Sequence, residues 1–202
     1  MNTNSRVIMS TQSYIVNDNM ARAIVWVGAI GYGISMLTYI FKMIFQNIDQ
    51  SFEHVVKNGL LVLGFLFLSI STTRKALIVQ KDRKDMEKPE FLFQKMTRMG
   101  WACLAFHFIS LYILPHHTHI YYLFALAAYI TLAIGKQIGV FLLVTFYVLS
   151  SIFMFMRPVV DYIIIPSKLI NMTYMGAYAY IFARQYFQKR AEEKEKQKEK
   201  QS

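Results

Sequence analysis

Three histidines fall close together, at His116, His117 and His119. Imidazole is a common ligand of zinc, copper and iron, so these residues are a weak candidate metal site. Their spacing lacks the i, i+4 pair of a helical two-histidine site, and no nearby acid or cysteine completes a coordination shell. Polar residues are also expected at the tip of a loop, which explains the three histidines without a metal. We therefore expect no bound metal and no other cofactor.

Acidic residues are almost entirely excluded from the apolar parts of the chain. Asp161 is the one carboxylate beside an apolar segment, and Arg157 precedes it by one helical turn. We interpret these two residues as a possible ion pair at a turn between two helices; a counter-ion for a substrate is the alternative. Proton relays and cation sites normally need an acid within the bundle, so we do not expect an ion-coupled pump.

Three other polar residues lie inside apolar segments. His107 is expected to face the interior, where it would bond to a hydroxyl or serve as an axial ligand, but no second histidine on another segment supports haem. Cys103 is the single cysteine, which excludes an intrachain disulfide and a cysteine-based metal site. Asn171 matches the N-glycosylation pattern with Thr173, and its place inside an apolar segment makes that match incidental.

Small residues recur along the first apolar segment, residues 23–41. Ala29 with Gly33, and Gly31 with Ser35, form two pairs spaced by one helical turn, and such pairs permit close contact between helices. A nucleotide-binding loop would need a preceding strand and a polar loop, and neither is present. We therefore predict that these four residues pack against a neighbouring helix.

The elements that would position these residues are apolar helices. The 202-residue chain is 55% hydrophobic and 15% aromatic, yet its mean hydropathy is only +0.32 because charged tails offset apolar blocks. Two short apolar runs, residues 99–114 and 120–134, flank the three histidines in the pattern of a membrane-crossing hairpin. The other apolar segments are residues 23–41, 59–71, 138–156 and about 166–182. The predicted fold class is all-α, a polytopic transmembrane helical bundle of about six spans.

Charged residues divide the chain into regions. We predict an amino tail at residues 1–20, a helical membrane domain at 21–188 with a basic connector at 74–98, and a charged tail at 189–202. In a six-span arrangement most Lys and Arg residues fall on one side, so the positive-inside rule places both termini and the connector in the cytoplasm. The last part of the connector is expected either to lie along the membrane surface or to extend the third span.

The predicted location is an internal membrane of the endoplasmic reticulum type, with a bacterial inner membrane as the alternative. Short spans suit a thin bilayer, although it stays open whether residues 59–71 and the 99–134 hairpin cross it fully. Lys198 and Lys200, fifth and third from the end of the sequence, resemble a lysine-based retrieval signal.

Partners and function follow from the position of the charges. The formal net charge of +10 sits beside apolar segments, which favours anionic lipid headgroups at the basic connector over nucleic acid. Other membrane proteins, or a second copy of the chain, are the remaining expected partners. The predicted function is that of a non-enzymatic scaffold, membrane-shaping or assembly factor. A small transporter, or transporter subunit, for a neutral solute and a membrane sensor module are the alternatives.

Overall fold

Six α-helices account for nearly all of the residues that the structure describes. The computed structural model describes residues 18–45, 52–81, 92, 94–113, 121–156 and 164–199. The helices are α1 (Asp18–Phe45), α2 (Phe52–Lys81), α3 (Lys95–Ile113), α4 (Tyr122–Ala133), α5 (Ile138–Phe155) and α6 (Ile165–Glu199). No strand occurs within these ranges, so the prediction of an all-α fold is confirmed for them.

The turn between α4 and α5 shows how local chemistry ends a helix. The Lys136 amide donates to the Thr131 carbonyl at 2.8 Å, and the Gly135 amide donates to the Leu132 carbonyl at 3.0 Å. This pair of bonds needs a left-handed residue just past the helix, and Gly135 supplies it with φ of +83°. Because α5 begins at Ile138, the chain reverses direction within a few residues.

The helices form a closed ring. Each one packs against the next along the chain, and α6 packs against α1. Neighbours run antiparallel: the Ser71 and Thr97 hydroxyls meet at 2.6 Å near the end of α2 and the start of α3. The amino end of α1 and the carboxyl end of α6 therefore lie at the same end of the ring. We call it the basic end, because it carries Arg22, Arg74, Lys75, Lys95, Arg98 and Lys136.

Two helices are long and apolar enough to cross a membrane, through Arg22–Phe45 in α1 and Val55–Leu77 in α2. α4 and α5 hold shorter apolar stretches, Tyr122–Ala133 and Ile138–Met154. With 12 residues, α4 is about 18 Å long, well below the ~30 Å of an average hydrocarbon core. Among the described helices the predicted number of six spans is therefore not confirmed.

Helical structure reaches further than the apolar segments do. α2 continues into the predicted basic connector as far as Lys81, and α3 begins at Lys95. Residues 95–98 of the predicted connector belong to α3, whereas residues 82–91 and 93 lie outside the described part of the chain, so the choice between the two alternatives stays a prediction. α6 continues through the charged segment to Glu199, because Glu and Lys at helical spacing stabilise a helix without apolar contacts.

The buried interior of the ring is mainly apolar and also holds several polar side chains, while large apolar side chains are exposed around its outside. The buried polar side chains include Ser35, Thr72, Thr97, His107, Ser150 and Asn171. Large apolar side chains are exposed on the outside of every helix from α1 to α5, among them Ile30, Leu37, Leu63, Phe106, Ile130, Val148 and Ile152. The outside of a helical bundle in water is instead covered mainly by charged and polar side chains.

Candidate functional site

Aromatic side chains of several helices contact one another at the axis of the ring. The Tyr32 ring of α1 meets the Trp101 ring of α3 edge-on, at a centroid distance of 5.9 Å. It meets the Tyr174 ring of α6 in the same way at 5.5 Å, while Trp101 stacks on Tyr129 of α4 at 5.9 Å. Edge-to-face and offset-stacked pairs are the favourable geometries for aromatic rings, so these contacts stabilise the closed ring.

Five buried tyrosines lie close together near this axis. We call them the tyrosine cluster: Tyr32, Tyr129, Tyr147, Tyr174 and Tyr178. The hydroxyls of Tyr129 and Tyr147 interact with each other across α4 and α5. The Tyr32 side chain is fully buried near the other four, and its hydroxyl has no hydrogen-bond partner among the described residues. The cluster is therefore a polar site enclosed by apolar helices.

A second polar contact closes the ring between α1 and α6. The Asn171 amide nitrogen donates to the Ser35 hydroxyl at 2.7 Å, and that hydroxyl donates to the Gly31 carbonyl at 2.8 Å. The Asn171 carboxamide oxygen lies 2.6 Å from the place where a Cβ on residue 31 would be. A side chain at residue 31 would therefore force Asn171 to move.

The four small residues predicted for helix packing lie on α1. Gly31 and Ser35 contact Asn171 of α6, as described above. A Cβ on Gly33 would lie 3.6 Å from the Ser69 hydroxyl of α2, and Ala29 is buried. The closest approach occurs at Gly28, where a Cβ would come within 2.3 Å of the Tyr174 ring. The sequence did not single out Gly28 as one of the packing residues.

His107 is buried, and its Nδ1 donates to the backbone carbonyl of Lys57 at 2.9 Å. The sequence had predicted an interior position with a hydroxyl or a metal as partner, and the observed partner is a carbonyl of α2. Lys57 itself is buried near the amino end of α2. This contact fixes the rotation of α3 relative to α2 at the end of the ring opposite the basic end.

Several predicted residues lie outside the described part of the chain. They are His116, His117, His119, Arg157, Asp161 and Lys200. Lys198 is in the last turn of α6, but its side chain is not described. Within the described ranges, no three His, Cys, Asp or Glu side chains come together as metal ligands. The candidate metal site, the ion pair and the retrieval signal therefore stay predictions.

The tyrosine cluster was missed by reasoning from the sequence. Its one local signal is the i, i+4 pair of Tyr174 and Tyr178, whose rings meet edge-on at 5.0 Å. Tyr32, Tyr129 and Tyr147 lie on three other helices, and nothing in their immediate neighbours separates them from the exposed Tyr180. Comparison of the chain with models of protein families, with curated proteins and with solved structures finds no match to any of them.

Proposed function

We propose that the chain is a multi-pass integral membrane protein of internal membranes that acts as a scaffold, membrane-shaping or assembly factor without catalysing a reaction. The observation that carries this proposal is the large number of apolar side chains exposed around the outside of the ring. A water-exposed surface with so many large apolar side chains would be unfavourable by roughly 1.5–3 kcal/mol for each one left unburied. A hydrocarbon solvent removes that penalty and leaves buried hydroxyl and amide groups as the contacts between helices.

The charges support an orientation for the ring. Arg22, Arg98 and Lys136 lie at the basic end, together with the connector between α2 and α3. The positive-inside rule places such an end in the cytoplasm, with both termini, and anionic lipid headgroups are its natural partners there. The six helices of the ring are our proposed spans.

The two shortest helices of the ring favour a thin membrane. α4 is about 18 Å long, and the 18-residue α5 is about 27 Å. The hydrocarbon core of the endoplasmic reticulum is near 27 Å, below that of the plasma membrane. We therefore place the protein in the endoplasmic reticulum, with Lys198 and Lys200 as its retrieval signal and with a bacterial inner membrane as the alternative.

α6 suits the role of a scaffold. Its last buried residue is Phe182, and the helix continues to Glu199. This extension is about 25 Å long at 1.5 Å per residue. It carries exposed Tyr186 and Phe187 near its base, followed by alternating Lys and Glu residues. A rigid charged helix of this kind offers other membrane proteins, or a second copy of the chain, a surface for attachment.

The first test asks whether the chain lies in the bilayer. Membranes that contain the tagged full-length chain are washed with alkaline carbonate and then treated with detergent. We expect the chain to stay in the membrane pellet after carbonate and to be released only by detergent. Release by carbonate alone would overturn the proposal, because a protein bound by charge alone detaches under those conditions.

The second test maps orientation with single cysteines. Cys103 is replaced by Ser, and one new cysteine is placed between α1 and α2 (Gln46→Cys) or between α2 and α3 (Lys84→Cys). In sealed microsomes, an impermeant maleimide should label Lys84→Cys from the cytosolic side and should label Gln46→Cys only after permeabilisation. The reverse pattern would refute the orientation, and equal labelling of both would refute the spans.

The second candidate function is a small transporter, or transporter subunit, for a neutral solute. The tyrosine cluster favours it, because an uncharged polar site inside a ring of apolar helices can bind an uncharged polar molecule. Uptake into proteoliposomes that saturates with solute concentration would select this function. Uptake equal to that of empty liposomes would count against a transporter and favour the scaffold function.

A further inference from the structure

The Tyr32 hydroxyl is the starting point of a further inference. Tyr32 is fully buried between α3 and α6, where its ring touches Trp101 and Tyr174. Its hydroxyl has no hydrogen-bond partner in the described chain. A buried hydroxyl without a partner is unfavourable, and nearly all such groups in proteins bond to another residue or to a bound molecule.

The surroundings of Tyr32 are polar and uncharged. Tyr129, Tyr147, Tyr174 and Tyr178 place four more buried hydroxyls near its own. Tyr129 interacts with Tyr147, and Tyr174 interacts with Tyr178. A hydroxyl donates one hydrogen bond and accepts two, so such pairs do not use all the acceptors of the group.

The charges near the cluster limit what it can bind. The acidic residues of the described helices are Asp18, Glu53 and four glutamates beyond residue 190, all far along their helices from the cluster. Arg98 lies one turn before Trp101, and it donates to the Ile134 carbonyl at 2.6 Å. A cation would find no counter-ion among the described residues, and an anion would compete with that carbonyl for Arg98. The cluster therefore fits a neutral guest.

We propose that the tyrosine cluster is a binding site for a small neutral molecule that both donates and accepts hydrogen bonds, of which water is the smallest. The guest bonds to the Tyr32 hydroxyl and to at least one of the other four. This inference rests on the packed ring of helices, and it holds whether the protein is a scaffold or a transporter.

The first measurement is the thermal stability of Tyr32→Phe in detergent, with Tyr180→Phe as the matched control. Tyr180 is 65% exposed on α6, so loss of its hydroxyl should leave the midpoint unchanged. If a guest bonds to Tyr32, removal of the hydroxyl should lower the melting temperature by about 2–4 °C, the usual effect of one lost interaction in a chain of this size. If the hydroxyl has no partner, its removal should raise the melting temperature, and that result would overturn the proposal.

The second measurement uses the wild-type chain, so it does not depend on whether a variant folds. The protein is labelled at tyrosine, solubilised in detergent and studied by NMR with selective excitation of water. We expect a cross-peak between water and the ring protons beside the Tyr32 hydroxyl, assigned by its loss in Tyr32→Phe. The cross-peak is sought with and without added ¹³C-glycerol. Its absence in both samples would overturn the proposal, even if Tyr32→Phe lowers the melting temperature.

A transport assay identifies the guest. Proteoliposomes are tested for glycerol entry with wild type, Tyr32→Phe and Tyr180→Phe. Entry that only Tyr32→Phe abolishes shows that a solute occupies the site, whereas a water cross-peak without glycerol entry shows a resident water. Failure of the carbonate test would remove the membrane role alone, because both site measurements are made on the purified chain in detergent.

Discussion

Asn171 and Ser35 are 136 positions apart in the sequence, and their side chains join the last helix of the ring to the first through a 2.7 Å hydrogen bond. Both residues are buried. The Ser35 hydroxyl in turn donates a hydrogen bond to the Gly31 carbonyl one turn earlier on α1. Both hydrogen bonds of this hydroxyl therefore lie within the α1–α6 contact. The ring is therefore closed by polar side chains as well as by shape.

The Asn171–Ser35 bond should contribute a measurable coupling energy. In a double-mutant cycle with Ser35→Ala and Asn171→Ala, we expect about 0.6–1.7 kcal/mol, the range found for hydrogen bonds between helices in membranes. Unfolding of the purified chain in mixed micelles measures it. Thr173→Ala is the control, because Thr173 bonds only to its own helix at the Leu169 carbonyl and should not couple to Ser35. Equal coupling at both positions would refute a specific bond.

Glycines on α1 should not tolerate a methyl group where α6 is close. Gly28→Ala would place a Cβ 2.3–2.6 Å from three atoms of the Tyr174 ring, so the helices must separate. We expect a loss of about 1–3 kcal/mol, as for overpacked cores. Gly176→Ala is the matched control, since no atom lies within 4 Å of its Cβ, and it should stabilise α6 by about 0.5–1 kcal/mol. If Gly28→Ala leaves the free energy of unfolding unchanged, the contact between α1 and α6 is looser than described.

Arg98 should stabilise the end of α4. Its Nη2 donates to the Ile134 carbonyl at 2.6 Å, and cations near a helix carboxyl end interact favourably with the helix dipole. We expect Arg98→Ala to lower the free energy of unfolding by about 1.5–3 kcal/mol, as for hydrogen bonds to charged groups. Lys95→Ala, at an exposed position of the same helix, should change it by less than about 0.5 kcal/mol. Similar losses at both positions would indicate a general charge effect.

Lys198 and Lys200 should set the location of the protein. Replacement of Lys198 and Lys200 by Ser is expected to release a fluorescently tagged chain from the endoplasmic reticulum to later compartments. Replacement of Lys194 and Lys196 by Ser removes the same charge from the same segment, and it should leave the location unchanged. Retention of the first double variant would exclude the retrieval signal, while its stability should match that of wild type because the segment lies beyond the ring.

Much of the secondary structure could be predicted from the sequence, because long apolar segments between polar connectors have few alternatives to helix. The break at Gly135 is a local event of this kind, since only glycine adopts the required backbone conformation readily. The sequence predicted a charged tail at residues 189–202 without specifying its secondary structure, and the structure has α6 continuing to Glu199.

The sequence by itself thus determined the helical class, the approximate helix positions and the separation of charge from apolar segments. The tertiary structure decided which polar residues meet: Asn171 with Ser35, His107 with the Lys57 carbonyl, and five tyrosines around one axis. The physical reason is that these helices are apolar on nearly every face, so periodicity does not identify the inward face. Each contact depends on helix rotation and on pairing across the ring, and both are fixed only when all six helices pack together.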